Sequence, residues 1–239
     1  MGLVLVTRPL DQAKATAARL AELGLTPLVS PLLKFEPLAI DWPDRTFDAI
    51  AITSARALEG VDGSIPANLL ALPLFAVGPK TAERATSAGF SKVIAVDENK
   101  SGATGLADRI NAEPGISETL YLAGENRTGD LAALLAPFGK KVTLLETYRM
   151  AEQNLSEEAF AALGARKVSS VLHYSRRSAE IFAKIAANFD LSGITHICLS
   201  AKVAEPLAAA SNAGLRVAQT PSEKAMLAEA KAALASSGN

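Results

Sequence analysis

The stretch LVLVTRPLDQAKATAARLAELGLTPLV, residues 3–29, sets the pattern that decides the fold. Its first residues, Leu3 to Val6, are all apolar, as expected of a parallel strand that helices cover on both faces. Asp11 to Leu23 has the apolar spacing of a helix and stops at Gly24, a residue that suits a helix end. Leu25 to Val29 reads as a second short strand. The stretch therefore predicts a β-α-β unit.

The same alternation recurs to the end of the chain. Further apolar strand candidates are Ala49 to Ile52, Phe75 to Val77, Leu120 to Ala123, Val171 to Tyr174 and Ile197 to Leu199. Further helix candidates that stop at a glycine are Thr81 to Ala88, Gly129 to Phe138 and Val203 to Ala213, and the strands expected after them are Lys92 to Val96, Val142 to Leu145 and Leu215 to Ala218. The pattern predicts an α/β fold of parallel sheets flanked by helices, with right-handed crossovers.

The sequence also repeats itself in the order A, B, C, A, B, C. The two copies of segment A are residues 3–37 and 120–150, those of B are 47–61 and 168–182, and those of C are 74–98 and 196–221. A period this long predicts two similar lobes. The repeats by themselves suggest a boundary near residue 118. We expect a ligand in the cleft between the lobes, beyond the carboxyl ends of the strands.

The turns that follow the strands share a composition. Each contains a lysine or arginine together with a glycine, serine or threonine, and the turns are Thr7 to Pro9, Thr53 to Arg56, Gly78 to Thr81, Gly124 to Thr128, Tyr174 to Ser178 and Ser200 to Lys202. Free N–H groups at helix starts, small residues and nearby cations all favour bound anions. In the alternative reading, the hydroxyls are helix caps and the basic side chains are solvated. The recurrence along one sheet edge favours a polyanionic small molecule.

Composition excludes several other classes of protein. The 239 residues are 49% hydrophobic, which rules out a disordered chain, and the net charge of −1 gives no global field for nucleic acid or an anionic membrane. No apolar run approaches the roughly 20 residues of a membrane-spanning helix. The single cysteine, Cys198, suits a reducing compartment, and the amino terminus lacks the pattern of a signal peptide. We therefore expect a cytoplasmic protein.

Familiar catalytic motifs are missing from the sequence. It has no P-loop, no dinucleotide-binding glycine pattern after the first strand and no nucleophile elbow. His173 and His196 flank apolar strands without metal-ligand spacing, which favours a structural role and no metal site. Cys198 falls in a buried strand with no base beside it in sequence, which argues against a nucleophile.

Tyr148 is the one side chain for which catalysis competes evenly with a structural role. It lies just after the predicted strand Val142 to Leu145, where the first copy of segment A has Leu33 to Pro37. A phenol is protonated at neutral pH and can assist a departing hydroxyl without adding charge. The other reading is a linker aromatic with its hydroxyl in water. Position alone leaves both readings open.

Several of these segments together resemble a known family. VLVTRP at the amino terminus, ITSARA, FAVGPKTAERATSAGF, YLAGENR and ETYR occur in the order and spacing of uroporphyrinogen-III synthase, and the resemblance covers essentially the whole chain. It implies a HemD-like lyase of tetrapyrrole biosynthesis that needs no cofactor. Its substrate would be linear hydroxymethylbilane, whose acetate and propionate groups account for anion-binding turns.

The resemblance also implies a reaction and a domain arrangement. Loss of the hydroxymethyl group as water gives an azafulvene, the last pyrrole ring attacks through its substituted position, and a spiro intermediate reopens and closes with that ring inverted. Residues 1–33 and 151–239 would form one discontinuous α/β lobe and residues 38–146 the other. Residues 34–37 and 147–150 would form a two-stranded linker.

The family's residues map onto this chain one by one. Its tyrosine matches Tyr148, and the serines of its two TS-like turns match Ser54 and Ser175. The family often has a hydroxyl residue where this chain has Val203, so Ser200 or Lys202 is expected to substitute. The expected substrate-binding residues are Arg8, Ser54, Lys80, Arg127, Ser175, Ser178, Ser200 and Lys202.

Two other functions compete with this interpretation. A noncatalytic two-lobed protein could close on a polyanion without doing chemistry. A transferase acting on a phosphorylated substrate would need a metal or an activated donor, and no acidic pair is placed for magnesium in the sequence. We expect a monomer, because each lobe can bury its own sheet and no heptad pattern is left over.

Overall fold

A computed structural model describes residues 2–61, 63–96, 102–127, 129–208 and 214–236. The chain folds as two compact α/β units. The first unit comprises Met1–Lys34 and Ala151–Asn239, and the second unit comprises Phe35–Met150. The predicted fold class, parallel sheets flanked by helices, is confirmed.

Strands and helices alternate along most of the chain. The strands are β1 (Leu3–Val6), β2 (Thr26–Val29), β3 (Leu33–Pro37), β4 (Ala49–Ile52), β5 (Pro73–Val77), β6 (Lys92–Val96), β7 (Glu118–Gly124), β8 (Lys141–Glu152), β9 (Val168–His173), β10 (Thr195–Cys198) and β11 (Gly214–Val217). The helices are α1 (Leu10–Glu22), α2 (Arg56–Glu59), α3 (Ala67–Leu70), α4 (Pro79–Ser87), α5 (Gly102–Asn111), α6 (Leu131–Leu135), α7 (Glu157–Gly164), α8 (Arg176–Ala186), α9 (Ala201–Ala204) and α10 (Glu223–Ser236).

The two sheets have the same internal order of strands. The first unit holds a parallel sheet in the order β2-β1-β9-β10-β11. The second unit holds β8-β7-β4-β5-β6, also parallel, with β3 added beside β8. Leu32 accepts a hydrogen bond from Gln153, and Leu38 donates one to Thr147, so the segment around β3 runs antiparallel to β8. The chain crosses between the units in these two paired strands.

The sequence repeats are exchanged between the units. The first unit combines the first copy of segment A, up to Lys34, with the second copies of B and C, and the second unit combines the first copies of B and C with the second copy of A. A boundary near residue 118, which the repeats alone suggest, is therefore wrong. Glu118 begins β7, and β7 lies inside the second sheet between β4 and β8.

Burial on both faces explains the unbroken apolar runs. All four residues of β4 are buried. Ile50 and Ile52 pack into one hydrophobic cluster, whereas Ala49 and Ala51 pack into another on the opposite face. A strand that contributes to two cores has no solvent face for polar residues.

Most predicted elements occur within a few residues of their expected bounds. Helix α1 ends before Gly24, whose φ is 75°, and glycine adopts this left-handed backbone angle at little energetic cost. The helix expected from Gly129 begins only at Leu131, because Asp130 caps it by accepting from the N–H groups of Ala132 and Ala133 at 3.0 and 3.1 Å. Helices α2, α3, α5, α7, α8 and α10 have no counterpart among the named helix candidates.

Two predictions of element length are wrong. The helix expected over Val203 to Ala213 is only α9 followed by a 3-10 turn, Glu205–Leu207, because Pro206 cannot continue an α-helix; residues 209–213 lie outside the described residues. The strand expected to stop at Leu145 continues to Glu152, because β7 pairs with it on one side and β3 on the other. Tyr148 therefore lies within a strand.

Candidate functional site

The carboxyl ends of the strands bring the predicted turns together within each unit. In the first unit the turns after β1, β9 and β10 lie at one edge of the sheet, because these strands are neighbours and parallel. In the second unit the turns after β4, β5 and β7 share an edge for the same reason. Each edge therefore collects three of the six turns that carry a cation and a small residue.

Tyr148 lies at this edge of the second unit. It pairs in register with Gly124, the last residue of β7, where a bulge shifts the ladder. Its ring stacks on Phe35, with centroids 5.4 Å apart and an angle of 26° between the planes. The half-buried ring also packs against the core cluster that includes Ile50 and Ile52. Strand β8 and these contacts fix the direction of the phenol.

The surroundings of Tyr148 keep its phenol protonated. Burial raises the pKa of Tyr148 above its usual value of 10.0, and a hydrogen bond with Ser54 and the positive charge of Arg56 oppose this shift only in part. The neighbouring Tyr121 and Glu59 add to the upward shift of the pKa. At neutral pH the group is thus a neutral hydrogen-bond donor.

Ser54 connects the turn after β4 to this tyrosine. Its hydroxyl oxygen accepts a hydrogen bond from the N–H of Arg56 at 3.3 Å. The preceding residue, Thr53, shares a 3.3 Å hydrogen bond between its hydroxyl and that of Tyr121. In the second unit, the phenols of Tyr121 and Tyr148 and the hydroxyls of Thr53 and Ser54 therefore lie close to one another, near the carboxyl end of β4 and beside β7 and β8.

Two predicted binding arginines are already held by the protein. The guanidinium of Arg8 donates to Gln12 at 2.8 Å, to Thr16 at 3.1 Å and to Glu223 at 3.3 Å, and it lies 4.0 Å from the centroid of the Tyr174 ring. Arg127 donates to Glu146 at 2.6 Å and to the carbonyls of Gly124 and Glu125 at 3.3 Å. Both charges have an internal partner.

Two predicted serines serve as a helix cap. Ser175 precedes α8, and its hydroxyl oxygen accepts from the N–H of Ser178 at 3.1 Å and lies 2.9 Å from the hydroxyl oxygen of Ser178. Ser178 is buried. For this turn the structure supports the capping alternative, since satisfying the first N–H groups of a helix is the usual role of a serine at this position.

Three predicted side chains remain open at the edges. Lys80 and Lys202 are exposed and make no hydrogen bond or ion pair with the part of the chain that the structure describes. Ser200 precedes α9 without capping it through its side chain. Lys80 belongs to the second unit, and Ser200 and Lys202 belong to the first. Among the predicted binding residues, these three side chains have no internal partner within the described part of the chain.

The structure also places residues at the site that the sequence had not assigned to it. Phe35 and Tyr121 contact or neighbour Tyr148, and Gly124 faces its ring. The signal for Phe35 was its place in segment A opposite Tyr148, whereas nothing in the sequence distinguished Gly124 from an ordinary turn glycine.

The histidines and the cysteine lie in the core of the first unit. Nε2 of His173 and Nδ1 of His196 are 3.1 Å apart, and both rings meet Phe182 edge-on. Burial lowers the pKa of both histidines, that of His196 to about 4, and raises the pKa of the Cys198 thiol to about 12.

Within the described ranges, no group of three or more histidine, cysteine or acidic side chains is arranged to hold a metal ion. No helix in the described part of the chain is long and apolar enough to cross a bilayer.

Fold and site define a protein of two α/β units. Each unit collects turns with a cation and a small residue at the carboxyl ends of its parallel strands, and in the second unit the protonated, half-buried phenol of Tyr148 lies beside them. More particularly, the chain belongs to the uroporphyrinogen-III synthase family, because the model of that family, uroporphyrinogen-III synthase HemD, matches residues 14–228. The resemblance seen in the sequence is thus confirmed. The activity is that of a cyclising lyase, which converts hydroxymethylbilane to uroporphyrinogen III in tetrapyrrole biosynthesis.

Solved structures support the fold. Uroporphyrinogen-III synthetase from Helicobacter pylori is 17% identical with a TM-score of 0.66, over 97% of this chain and 99% of that one. A mutant uroporphyrinogen III synthase from the extremely thermophilic bacterium Thermus thermophilus is 18% identical with a TM-score of 0.58, over 99% of this chain and 100% of that one. None of the curated proteins matches the sequence.

Proposed function

We propose that Tyr148 is the proton donor of the cyclisation. The observation that carries the proposal is the protonated, half-buried phenol beside Ser54 at the carboxyl edge of the second sheet. As the C–O bond of the hydroxymethyl group breaks, the electron pair leaves with the oxygen, the pyrrole nitrogen supplies electrons to form the azafulvene, and the phenol proton completes a water molecule. The proton lost from the attacking ring at closure returns the tyrosine to its neutral state.

Ser54 is proposed to orient this phenol. A hydrogen bond between the two hydroxyls restrains rotation of the Tyr148 O–H and stabilises the phenolate that forms briefly. The positive charge of Arg56 acts in the same direction. Both effects limit how far burial raises the pKa, so the donor stays protonated without becoming too weak an acid.

The open side chains are proposed to bind the carboxylates of the substrate. Lys80, Lys202 and Ser200 have no internal side-chain partner in the described structure, and each stands at the start of a helix whose first N–H groups can add hydrogen bonds. Arg8, Arg127, Ser175 and Ser178 were expected to share this role. Their internal hydrogen bonds support a different function for them, which is to hold the turns in place.

Three broader properties complete the proposal. The protein is a monomer, which is supported by the burial of each sheet within its own unit. It works in the cytoplasm, a reducing compartment that suits its buried, unpaired Cys198. Residues 34–37 and 147–150 link the two lobes, which is supported by the antiparallel pairing around β3 and β8.

The Tyr148→Phe variant tests the catalytic proposal. It removes the hydroxyl and keeps the ring on Phe35, so turnover is expected to fall by about 10²- to 10⁴-fold, as for a lost general acid, with KM nearly unchanged. The uncatalysed closure gives the type I isomer, so the fraction of that isomer should rise. Rates and isomer ratios are measured by chromatography of the oxidised products.

Tyr174→Phe is the matched control. It removes a half-buried phenol hydroxyl whose pKa burial also raises, but in the first unit. Turnover and isomer purity should stay as in the unmodified protein. Full rate and pure type III product from Tyr148→Phe would leave Tyr148 with a structural role only.

A further inference from the structure

We infer that Gly124 is a positioning residue for Tyr148, because the absence of a side chain at position 124 leaves the space that the phenol occupies. The inference rests on the proposed role of Tyr148 as proton donor. It concerns how the protein fixes the place of that donor, which neither the family match nor the turn composition addresses.

The geometry at Gly124 is tighter than any side chain permits. A Cβ atom added there would lie 2.7 Å from Cζ of Tyr148 and 3.0 Å from both Cε2 and the phenol oxygen. Carbon atoms of neighbouring side chains normally pack at about 3.5–4.0 Å. The contact is therefore made at the hydroxyl end of the ring, where a small displacement moves the reacting oxygen.

Space, not backbone conformation, is the reason for glycine here. Gly124 is not among the glycines with positive φ, such as Gly129 and Gly139, so an alanine could adopt its backbone angles. The three atoms nearest to an added Cβ all belong to the side chain of Tyr148.

The ring has little freedom to retreat. Phe35 stacks on it, Ile50 and Ile52 belong to the core cluster that it contacts, and its backbone pairs with that of Gly124 in the β7–β8 ladder. A methyl group at position 124 must therefore push the phenol away from Ser54 or separate the two strands.

The duplicated segment supplies an independent comparison. In the first copy of segment A, the residue that follows the apolar run of β1 is Thr7, the counterpart of Gly124. Thr7 is fully buried and its hydroxyl donates to the carbonyl of Leu172 at 3.0 Å. A side chain with a Cβ is thus accommodated at the corresponding position of the first unit.

The test combines kinetics with a direct observation of the phenol. Gly124→Ala is made in the natural chain and in the Tyr148→Phe background, and kcat, KM and the ¹³Cζ resonances of labelled tyrosine are measured. The chain has only three tyrosines, so Tyr148 is assigned from its loss in Tyr148→Phe. The matched control is Gly164→Ala, whose nearest new contact would be a relaxed 3.8 Å to Phe189.

Misplacing a catalytic group by about 1 Å can cost about 10²-fold in rate, so Gly124→Ala is expected to lower kcat by about that factor and leave KM unchanged. The Tyr148 resonance should move and its titration should shift, while those of Tyr121 and Tyr174 stay close to their original positions. In Tyr148→Phe, where the ring but not the donor remains, Gly124→Ala should cost no further activity. Gly164→Ala should match the unmodified protein in every measurement.

Other results distinguish the positioning role of Gly124 from the donor role of Tyr148. Unchanged kcat or an unmoved Tyr148 resonance in Gly124→Ala, with Tyr148→Phe still slow, would overturn the positioning role alone. Full activity of Tyr148→Phe would overturn the donor and the positioning role together. If Gly124→Ala does not fold, Phe35→Leu is used instead, because it loosens the Tyr148 ring from its other side. Phe35→Leu is expected to lower kcat in the natural chain but not in the Tyr148→Phe background. Any other result for this variant would overturn the inference.

Discussion

At the scale of single residues, the strand-end turns divide into side chains that hold the fold and side chains that face outward. Arg8 is surrounded by Gln12, Thr16 and Glu223, and Arg127 is paired with Glu146. A cation that already has a carboxylate partner gains little from a second one, because the first must be displaced. Lys80 and Lys202 have no such competitor among the described residues.

Replacing the open lysines should therefore weaken substrate binding. Lys80→Ala and Lys202→Ala are each expected to remove about 1–3 kcal/mol of binding free energy, the usual contribution of a charge-assisted hydrogen bond. KM should rise while kcat changes little, because these contacts exist equally in the ground state and the transition state. Steady-state kinetics and circular dichroism separate this effect from misfolding.

Lys92→Ala is the control for charge. Lys92 is also an exposed lysine of the second unit, but it begins β6 and so lies at the opposite edge of the sheet from Lys80. An equal rise of KM in all three variants would indicate a general electrostatic effect and contradict specific binding by Lys80 and Lys202.

Sequence reasoning at this scale found the residue types but not their partners. That Tyr148, Ser54 and Lys80 belong near strand ends follows from the alternation of apolar runs and turns. The ion pair between Arg8 and Glu223 does not follow from this alternation, because 215 positions separate the two residues and α10 is not among the predicted helices. Gly124 illustrates the same limit, because its function depends on the ring of a residue that belongs to the next strand.

At the scale of elements, β8 is the strand that most changes the interpretation of the site. Its apolar part, Val142 to Leu145, was predicted, but its continuation through Tyr148 depends on β3, which comes from a distant part of the chain. Pairing on both sides supplies the hydrogen bonds that a polar extension needs. The same pairing makes Tyr148 a residue of a rigid strand instead of a flexible loop.

Strands β9 and β10 carry the buried histidine pair and make the first unit sensitive to acid. Burial lowers the pKa of His173 and His196 in the folded state, whereas the unfolded chain titrates near 6.5. Below that pH the unfolded state binds more protons than the folded state, so stability is complete above about 6.5 and is lost as the pH falls towards 4.

The size of this loss is measurable. With the pKa of His196 lowered to about 4, this residue alone should account for about 3 kcal/mol of unfolding free energy between pH 6.5 and 4. Guanidinium unfolding at a series of pH values gives the slope. His196→Asn keeps a polar group but cannot be protonated, and its stability should depend less steeply on pH. Identical slopes for both proteins would contradict the assignment.

At the scale of the whole molecule, duplication explains both what the sequence predicts and what it conceals. The alternating elements and the A, B, C repeats predict two α/β units correctly, because each strand and helix is encoded locally. The exchange of segment A between the units is not encoded locally. It depends on whether β1 pairs with β9 or with β4, and both pairings join similar apolar strands.

The end of the first copy of segment A, strand β3, pairs with the end of the second copy, strand β8, in the second sheet. In the second unit β3 lies beside β8, the last strand of segment A, and Glu36 of β3 forms a 2.9 Å ion pair with Arg149 of β8. This ion pair ties the end of the first copy of segment A to the second copy within the second unit. The proposed proton donor, Tyr148, thus lies within residues 147–150 of the proposed linker.

The identity of the ring-closed product tests the central claim most directly. The purified protein is mixed with freshly prepared hydroxymethylbilane, with and without a chelator, and the isomers are separated after oxidation. We predict uroporphyrinogen III at both conditions, formed faster than the spontaneous closure and suppressed in Tyr148→Phe. Only the type I isomer, at the spontaneous rate, would contradict the claim and leave a protein that binds polyanions without cyclising them.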